Sequence, residues 1–224
     1  MLKVKILACL VLFSAACLLW AGSRVTAQTV TAQVVCHGDS LTHGYGASSG
    51  LGTATGTTYP GVLARRLGPT WRVTSLGTGG WTIGLLAGEA PKKVDPLFDP
   101  HLSRNVLIIF AGTNNLGGGH QSAETAFGEL KAYCRARKAA HPWRILVVTP
   151  PMAAYPRVYP ADFDAQMIQY DARIRRNWRS FADGIVDVQA DFRLGAPGAE
   201  RNPVYFTKDF THLTDAGYAI VGQD

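Results

Sequence analysis

The stretch NVLIIFAGTNN, residues 105–115, contains the pattern that decides the fold. Residues 106–110 are all apolar, whereas a strand with one face in water alternates apolar and polar side chains. A strand that is apolar at every position predicts a parallel sheet covered on both faces. The Gly-Thr-Asn-Asn that follows, residues 112–115, stands where the carboxyl end of this strand would lie.

Four further apolar runs resemble this strand, and helical patterns lie between them. The predicted strands are residues 34–36, 71–76, 105–111, 144–149 and 184–188. The predicted helices are residues 60–67, 122–137, 163–181 and a segment that begins at Thr214. Alternating strands and helices predict a three-layer α/β/α sandwich on a mostly parallel, five-stranded sheet. The glycine-containing stretches 44–58 and 195–206 are predicted surface loops.

The composition is that of a folded globular protein. Hydrophobic residues make up 47% of the 224 residues and charged residues 17%, which excludes a disordered chain. The 24 glycines have no three-residue period, which excludes a collagen-like chain. The net charge is +6, but the basic residues form no cluster. The sequence therefore does not indicate a nucleic-acid-binding protein.

Residues 1–27 have the three parts of a secretory signal peptide. Two lysines precede an apolar run over residues 6–20, and residues 25–27, Val-Thr-Ala, resemble a signal-peptidase site. The run is short for a bilayer core about 30 Å thick, which favours cleavage over a retained membrane anchor. Three of the 22 basic residues would be removed, lowering the net charge from +6 to +3. We predict a secreted or periplasmic protein with one domain over residues 28–224.

Cleavage would leave two cysteines, Cys36 and Cys134. Two cysteines in a secreted protein can form a disulfide. Cys36, however, ends a predicted buried strand, and Cys134 lies within a predicted helix. Two buried free thiols are equally compatible with this placement, so the sequence leaves both alternatives open.

Polar segments follow the first three predicted strands and precede the last predicted helix. They are HGDSLT at 37–42, GTGGWT at 77–82, GTNN at 112–115 and DFTHL at 209–213. In an open parallel sheet, ligands bind beyond the carboxyl ends of the strands. We therefore expect these four segments to meet in one site.

The residue types in these segments suit nucleophilic attack on an acyl carbon. The Ser40 hydroxyl becomes a nucleophile when His212 accepts its proton, and Asp209 can hold the imidazole in the required tautomer. The backbone amides of Ser40 and Gly80 and the side-chain amide of Asn114 are candidate donors to the oxyanion. This chemistry requires neither a metal nor an organic cofactor.

Other residues near the predicted serine have alternative interpretations. His37, Asp39 and His43 have a spacing that could hold a metal ion, although no supporting pattern accompanies it. Asp39 is better explained as a hydrogen-bonding partner of the turn after the first strand. Trp81 is either packed in the core or a platform for a sugar or aryl group. Three further residues are weaker candidates for lining the substrate site: His43, Tyr45 and Tyr155.

With these segments in this order, the sequence resembles the SGNH hydrolases, also called the GDSL esterase and lipase family. The resemblance spans residues 38–212 and implies a flavodoxin-like fold. It implies that Ser40 is the nucleophile, that Gly80 and Asn114 are oxyanion donors, and that Asp209 and His212 form the acid–base pair.

Two positions depart from the usual pattern of this family. Ser75 stands where the family commonly has asparagine, and Asn115 stands where it commonly has aspartate. Neither position belongs to the five residues that the resemblance places in the reaction. We expect these departures to affect supporting hydrogen bonds.

The sequence thus predicts a secreted serine esterase that hydrolyses short-chain carboxylic esters of saccharides, aryl alcohols or alkyl alcohols through an acyl-enzyme. A chain of this length leaves little room for a large apolar lid, which disfavours long-chain lipase activity. The alternatives are a lysophospholipase, a thioesterase or a sugar O-acetyltransferase of the same fold, and a carbohydrate-binding protein without turnover. The expected partner is a small-molecule or saccharide ester, with no nucleic acid and no membrane insertion after cleavage.

Overall fold

The computed structural model describes residues 28–155 and 158–223, so the predicted signal peptide lies outside the described residues. Strands β1 to β5 are Ala32–Gly38, Trp71–Gly77, Arg104–Phe110, Arg144–Val148 and Gly184–Val186. Helices α1 to α8 are Ser40–His43, Tyr59–Leu67, Ile83–Lys93, Thr113–Leu116, Ala123–Ala140, Phe163–Asn177, Phe192–Gly195 and Asp215–Val221. The strands form one parallel sheet in the order β2-β1-β3-β4-β5.

Both faces of the sheet are covered by helices. Successive residues of β3 point to opposite faces: Leu107 and Ile109 pack in one hydrophobic cluster, and Ile108 packs in the other. Helices α3, α5 and α6 contribute to the first cluster, and helices α2 and α8 contribute to the second. Residues 106–110 of β3 are therefore all apolar because both faces of the strand are buried, as predicted. The predicted three-layer α/β/α fold with a parallel five-stranded sheet is confirmed.

Local signals place most helix boundaries where the sequence predicts them. The Ser122 hydroxyl caps α5 by accepting from the Thr125 N–H, and Thr214 caps α8. Helix α3 is missing from the sequence-based predictions because Gly84, Gly88 and Pro91 are poor helix formers. Burial of its apolar face stabilises it nonetheless. No helix within residues 28–155 or 158–223 is both long enough and apolar enough to cross a bilayer.

The strand order reverses between β1 and β3, because the chain proceeds outward to β2 on one side and to β4 and β5 on the other. At such a point a crevice opens outside the carboxyl ends of the strands. β1 ends at Gly38, just before Ser40, and β3 ends at Phe110, shortly before Asn114. The fold therefore places two of the predicted catalytic segments on either side of this crevice.

The two described cysteines are free and buried. Cys36 packs in the cluster formed with α2 and α8, whereas Cys134 packs in the cluster on the opposite face of the sheet. Burial raises the pKa of each thiol to about 12. The sequence left open a disulfide or two buried thiols, and the structure has two buried thiols.

Asp171 is a carboxyl group buried in α6. Both of its carboxyl oxygens are buried without a hydrogen-bond partner among the described residues. Burial raises its pKa well above the ordinary value; the cation of Arg175 opposes this shift, and the carboxylate of Asp187 adds to it. The folded protein thus retains a proton that the unfolded chain releases above pH 4. Stability conferred by this proton is complete below pH 4 and is lost as the pH rises toward the folded-state pKa.

We expect Asp171→Asn to remove this pH dependence while keeping the shape of the side chain. The variant should match the wild type near pH 4 and become more stable than it as the pH rises. The expected gain is at least about 1 kcal/mol, or about 2–4 °C in Tm. Thermal unfolding followed by circular dichroism from pH 4 to 9 measures this difference. The exposed Asp164→Asn on the same helix is the control; a constant difference between Asp171→Asn and wild type would contradict the prediction.

Candidate active site

A cavity of about 310 Å³ opens at the carboxyl ends of β1 and β3. Its lining includes all five residues that the sequence analysis assigned to the reaction: Ser40, Gly80, Asn114, Asp209 and His212. Much of the remaining wall is aromatic or aliphatic: Leu41, Tyr45, Tyr155, Val158 and Tyr159. The four polar segments therefore meet around one cavity.

Ser40 is the first residue of α1, directly after the tight turn that follows β1. Asp39 caps α1 by accepting a hydrogen bond from the Leu41 N–H at 2.9 Å. A Cβ at Gly38 would lie 2.2 Å from the Phe110 carbonyl oxygen, so the turn can approach β3 only with glycine there. Ser40 is 8% exposed, and its hydroxyl makes no hydrogen bond to a described residue. The hydroxyl is therefore available to a molecule in the cavity.

Asp209 and His212 form a hydrogen-bonded pair in the loop before α8. The Asp209 Oδ1 accepts from the backbone N–H groups of Thr211 and His212, each at 2.9 Å, and from the Thr207 hydroxyl at 2.6 Å. The other oxygen, Oδ2, lies 2.5 Å from His212 Nδ1. Burial opposes ionisation, but these donors outweigh it and hold the pKa of Asp209 well below its ordinary value.

The pair fixes the protonation pattern of the imidazole. An ionised Asp209 can only accept, so the His212 Nδ1 donates to it and Nε2 is left as an acceptor. Ser40 and His212 line the same cavity without a direct hydrogen bond between them. Such contacts are often long in free enzymes and shorten when substrate binds. The ring of Tyr45 packs against the His212 ring, with 5.4 Å between the two ring centroids.

Three candidate oxyanion donors belong to residues that line the cavity. The backbone N–H groups of Ser40 and Gly80 have no partner among the described residues. Gly80 has φ 78°, a conformation that favours glycine, in a turn closed by the Trp81 N–H on the Thr78 carbonyl at 3.3 Å. The Asn114 Nδ2 donates to the Trp81 carbonyl at 3.0 Å. The same nitrogen donates its second hydrogen to the Asp39 Oδ2, with a longer nitrogen–oxygen distance of 3.4 Å.

The residues predicted as substrate-lining separate into two groups. Tyr45 and Tyr155 line the cavity, and each is more than 40% exposed. Trp81 and His43 do not line it, which corrects their interpretation as lining residues. The Trp81 indole packs against the cluster that includes α3 and α5, and the Lys93 ammonium lies 5.4 Å from its ring centroid. The His43 Nδ1 bonds instead to the Gly77 carbonyl at 3.2 Å.

The sequence analysis missed part of the cavity wall. Val158 and Tyr159 line the cavity beside Tyr155, in the segment that follows β4. The rule that ligands bind beyond the carboxyl ends of strands applies to β4 as well, so it could have identified this segment. Thr211, between the two members of the acid–base pair, also lines the cavity.

The residues of the alternative metal site do not converge. His37 is fully buried, with Nδ1 2.5 Å from the Tyr133 hydroxyl and Nε2 2.9 Å from Glu89. Asp39 caps α1, and burial raises its pKa to about 7. In the part of the chain that the structure describes, no three His, Cys, Asp or Glu side chains are arranged to hold a metal ion.

Both departures from the family pattern keep a supporting hydrogen bond. The Ser75 hydroxyl donates to the Thr42 carbonyl at 3.1 Å. Asn115 is fully buried, and its Oδ1 accepts from the Ile83 N–H, the first residue of α3, at 2.9 Å. Its Nδ2 donates to Gln121 at 2.7 Å and to the Glu129 Oε2 at 2.9 Å. Glu129 therefore supplies the negative charge that an aspartate would bring to this position.

We expect Asn115→Asp, the residue common in the family, to destabilise this protein. It would remove two donated hydrogen bonds and place a carboxylate against that of Glu129. The expected cost is about 2–3 kcal/mol in the free energy of unfolding, measured by urea denaturation. Adding Glu129→Gln should restore most of the loss, since glutamine can donate to the new carboxylate. Equal losses from Asn115→Asp with and without Glu129→Gln would show that the two residues are not coupled.

Comparisons with known proteins identify the family and the fold of the chain. The model of the GDSL-like lipase/acylhydrolase family matches residues 36–220. No curated protein matches the sequence. A carbohydrate acetylesterase family member from Sinorhizobium meliloti has a similar structure, with TM-score 0.64 and 21% identity over 85% of this chain and 93% of that one.

Two further solved structures share the fold. The M. smegmatis aryl esterase has TM-score 0.59 and 18% identity over 85% of this chain and 94% of its own. A member of the lipolytic protein G-D-S-L family from Veillonella parvula has TM-score 0.68 and 12% identity over 86% and 94%, respectively. At these identities the likeness establishes the fold alone.

Proposed function

Because the chain belongs to the GDSL-like lipase/acylhydrolase family and is a carboxylic ester hydrolase, we propose that it hydrolyses short-chain esters through a Ser40-His212-Asp209 triad. The observation that carries this proposal is the shared cavity. One side has an unbonded serine hydroxyl and an imidazole oriented by a carboxylate, and three hydrogen-bond donors line the same space. These are the groups that acyl transfer requires.

In the first half of the reaction, His212 Nε2 accepts the Ser40 proton while Oγ attacks the ester carbonyl carbon. The carbonyl oxygen becomes an oxyanion, which accepts from the Ser40 and Gly80 N–H groups and from the Asn114 amide. The protonated imidazole is stabilised by the ionised Asp209. It then gives its proton to the departing alcohol, and the carbon–oxygen bond breaks to leave an ester of Ser40.

In the second half, water takes the place of the alcohol. His212 accepts a proton from water, whose oxygen attacks the acyl carbon, and the same donors hold the second oxyanion. The bond to Ser40 Oγ then breaks, and the proton on His212 returns to that oxygen. The carboxylic acid leaves, and the protein regains its starting protonation state.

The dimensions of the cavity support a small substrate. A volume of about 310 Å³ lies at the lower end of the range for small-molecule sites, about 300–1,000 Å³. The rings of Tyr45, Tyr155 and Tyr159 offer apolar surface to an aryl or sugar group. We therefore propose short acyl groups on saccharides or on aryl and alkyl alcohols. The names of two structural neighbours, a carbohydrate acetylesterase and an aryl esterase, favour the same range.

The proposed reaction takes place outside the cytoplasm. This part of the proposal rests on residues 1–27, whose basic start, apolar run and small residues form a secretory signal. The catalytic domain would then be residues 28–224. N-terminal sequencing of the protein released by the producing cells tests it: a first residue of Gln28 is expected, and retention of residues 1–27 in a membrane fraction would contradict cleavage.

Labelling with a fluorophosphonate probe tests the nucleophile. The probe reacts with an activated serine, so we expect one adduct, located on Ser40 by peptide mass spectrometry. The heat-unfolded protein is the control and should remain unlabelled, because activation depends on the folded site. An unlabelled folded protein that also fails to hydrolyse p-nitrophenyl acetate would favour a carbohydrate-binding protein. Transfer of the acyl group to an added sugar would favour the O-acetyltransferase.

A further inference from the structure

Trp81 links the two kinds of oxyanion donor through its main chain. Its N–H closes the turn that presents Gly80, and its carbonyl accepts from the Asn114 Nδ2 at 3.0 Å. A carbonyl oxygen can only accept, so this contact assigns the nitrogen of the amide, rather than its oxygen, to the end that faces Trp81. One amide hydrogen is used by Trp81. The second donates to the Asp39 Oδ2 across 3.4 Å, so it must be shared between Asp39 and an oxyanion or turn from one to the other.

The indole of Trp81 is held by a charged side chain from the following helix. The Lys93 ammonium lies 5.4 Å from the ring centroid, within the range of a cation–π interaction. Lys93 is the last residue of α3, and α3 begins at Ile83, directly after this turn. The Ile83 N–H is itself bonded to Asn115, the neighbour of Asn114. The turn that contains Trp81 is therefore next to two contacts of α3: the Ile83 N–H bond to Asn115 at the start of the helix, and the Lys93 contact with the indole at its end.

Lys93 is in turn anchored to buried groups beneath the site. Its ammonium pairs with Glu89 at 2.6 Å, one helical turn earlier. The other oxygen of Glu89 lies 2.9 Å from His37, whose second ring nitrogen contacts the Tyr133 hydroxyl. His37 belongs to β1, the strand that ends just before Ser40. A continuous row of polar contacts thus joins β1, the strand that precedes the nucleophile, to the indole.

We propose that Trp81 and Lys93 are positioning residues for the reaction. Lys93 holds the indole, and the fixed Trp81 carbonyl keeps the Asn114 amide directed at the oxyanion. The proposal rests on the proposed function, in which Asn114 is an oxyanion donor. It also gives a role to a polar row that the triad does not use.

Lys93→Met removes the charge and keeps the length of the side chain. We expect kcat for p-nitrophenyl acetate to fall by about threefold to tenfold, with KM unchanged, because only the transition state contains the oxyanion. Lys93→Arg keeps the cation and should recover most of the activity. Lys92→Met, at the exposed neighbouring position, is the matched control and should behave as wild type. A Lys93→Met variant with wild-type kcat, or one in which only KM changes, would overturn the proposal.

A double-mutant cycle separates positioning from a general loss of structure. Asn114→Ala alone should lower kcat by about 10²–10³. If Lys93 acts through Asn114, adding Lys93→Met to Asn114→Ala should cause no further loss of kcat. Losses that multiply would show that Lys93 acts elsewhere. Urea unfolding of all four proteins measures any change in stability separately.

The rate of phosphonylation provides a readout that needs no ester turnover. Attack on a fluorophosphonate also builds negative charge on an oxygen in the donor site, so Lys93→Met should slow labelling of Ser40 by a similar factor. A wild-type protein that is labelled but hydrolyses no ester would count against the proposed function alone. Equal labelling rates for wild type and Lys93→Met would count against the positioning role.

Discussion

Ser40→Ala is expected to lower kcat for p-nitrophenyl acetate by about 10⁶. The loss is this large because every proton transfer by His212, and its support by Asp209, belongs to forming or breaking the ester of Ser40. Without it, their contribution is lost together with that of the nucleophile. A residual rate above that of water is expected, because the oxyanion donors are still present. Steady-state kinetics with enzyme at high concentration measures this remainder.

Ser40→Ala should fold as the wild type does. The hydroxyl makes no hydrogen bond to a described residue, and alanine suits the first position of a helix such as α1. Ser49→Ala is the matched control: Ser49 lies in the exposed loop after α1, and its loss should leave kcat unchanged. If Ser40→Ala retained even a tenth of wild-type activity at an unchanged unfolding midpoint, the nucleophile would have to be another residue.

The fold was predictable because its strongest signals are local and redundant. The apolar run in β3 indicates a doubly covered strand by itself, and the four other runs agree with it. Helix α3 escaped prediction because Gly84, Gly88 and Pro91 give it a poor helical signal. It forms because Leu86 and Ala90 are buried against α5 and the sheet, a tertiary contact that the local sequence does not indicate.

The meeting of the four polar segments at one site was predictable, whereas the orientations of individual side chains around it were not. Segments at strand ends must meet at one edge of a parallel sheet, so the order of strands and polar segments predicts their convergence. The orientation of Trp81 was not predictable, because it depends on Lys93 at the end of the unpredicted helix α3. His43 has a similar explanation: its partner is the Gly77 carbonyl, and nothing in the sequence around residue 43 indicates that contact.

Asp209→Asn is expected to lower kcat by about 10⁴, through a change of tautomer. Oδ1 of this carboxyl already accepts from three donors, so the amide oxygen of asparagine must take that place. The NH₂ group then faces His212 Nδ1 and donates to it. The imidazole proton moves to Nε2, where it blocks acceptance of the Ser40 proton. The loop keeps its backbone hydrogen bonds, so the effect should fall on kcat.

Stability as a function of pH gives an independent check of the Asp209 environment. The folded-state pKa of Asp209 lies below its unfolded value of about 3.9. Its contribution to stability is therefore complete above that value and is lost as the pH falls through the folded-state pKa. Wild type should exceed Asp209→Asn in unfolding midpoint at pH 6, and the two should converge in strong acid. A gap between them that stays constant into strong acid would argue against this ionisation.

Asp215→Asn separates the tautomer effect from the loss of a nearby charge. Asp215 also has a lowered pKa, and it binds the Ser48 N–H and hydroxyl rather than an imidazole. It should therefore lose some stability while keeping kcat within about twofold of wild type. Asp209→Asn should lose kcat across the whole pH range, because no pH restores an acceptor at Oδ2. If raising the pH restored its activity, a fixed tautomer could not be the cause of the loss, and the tautomer argument would fail.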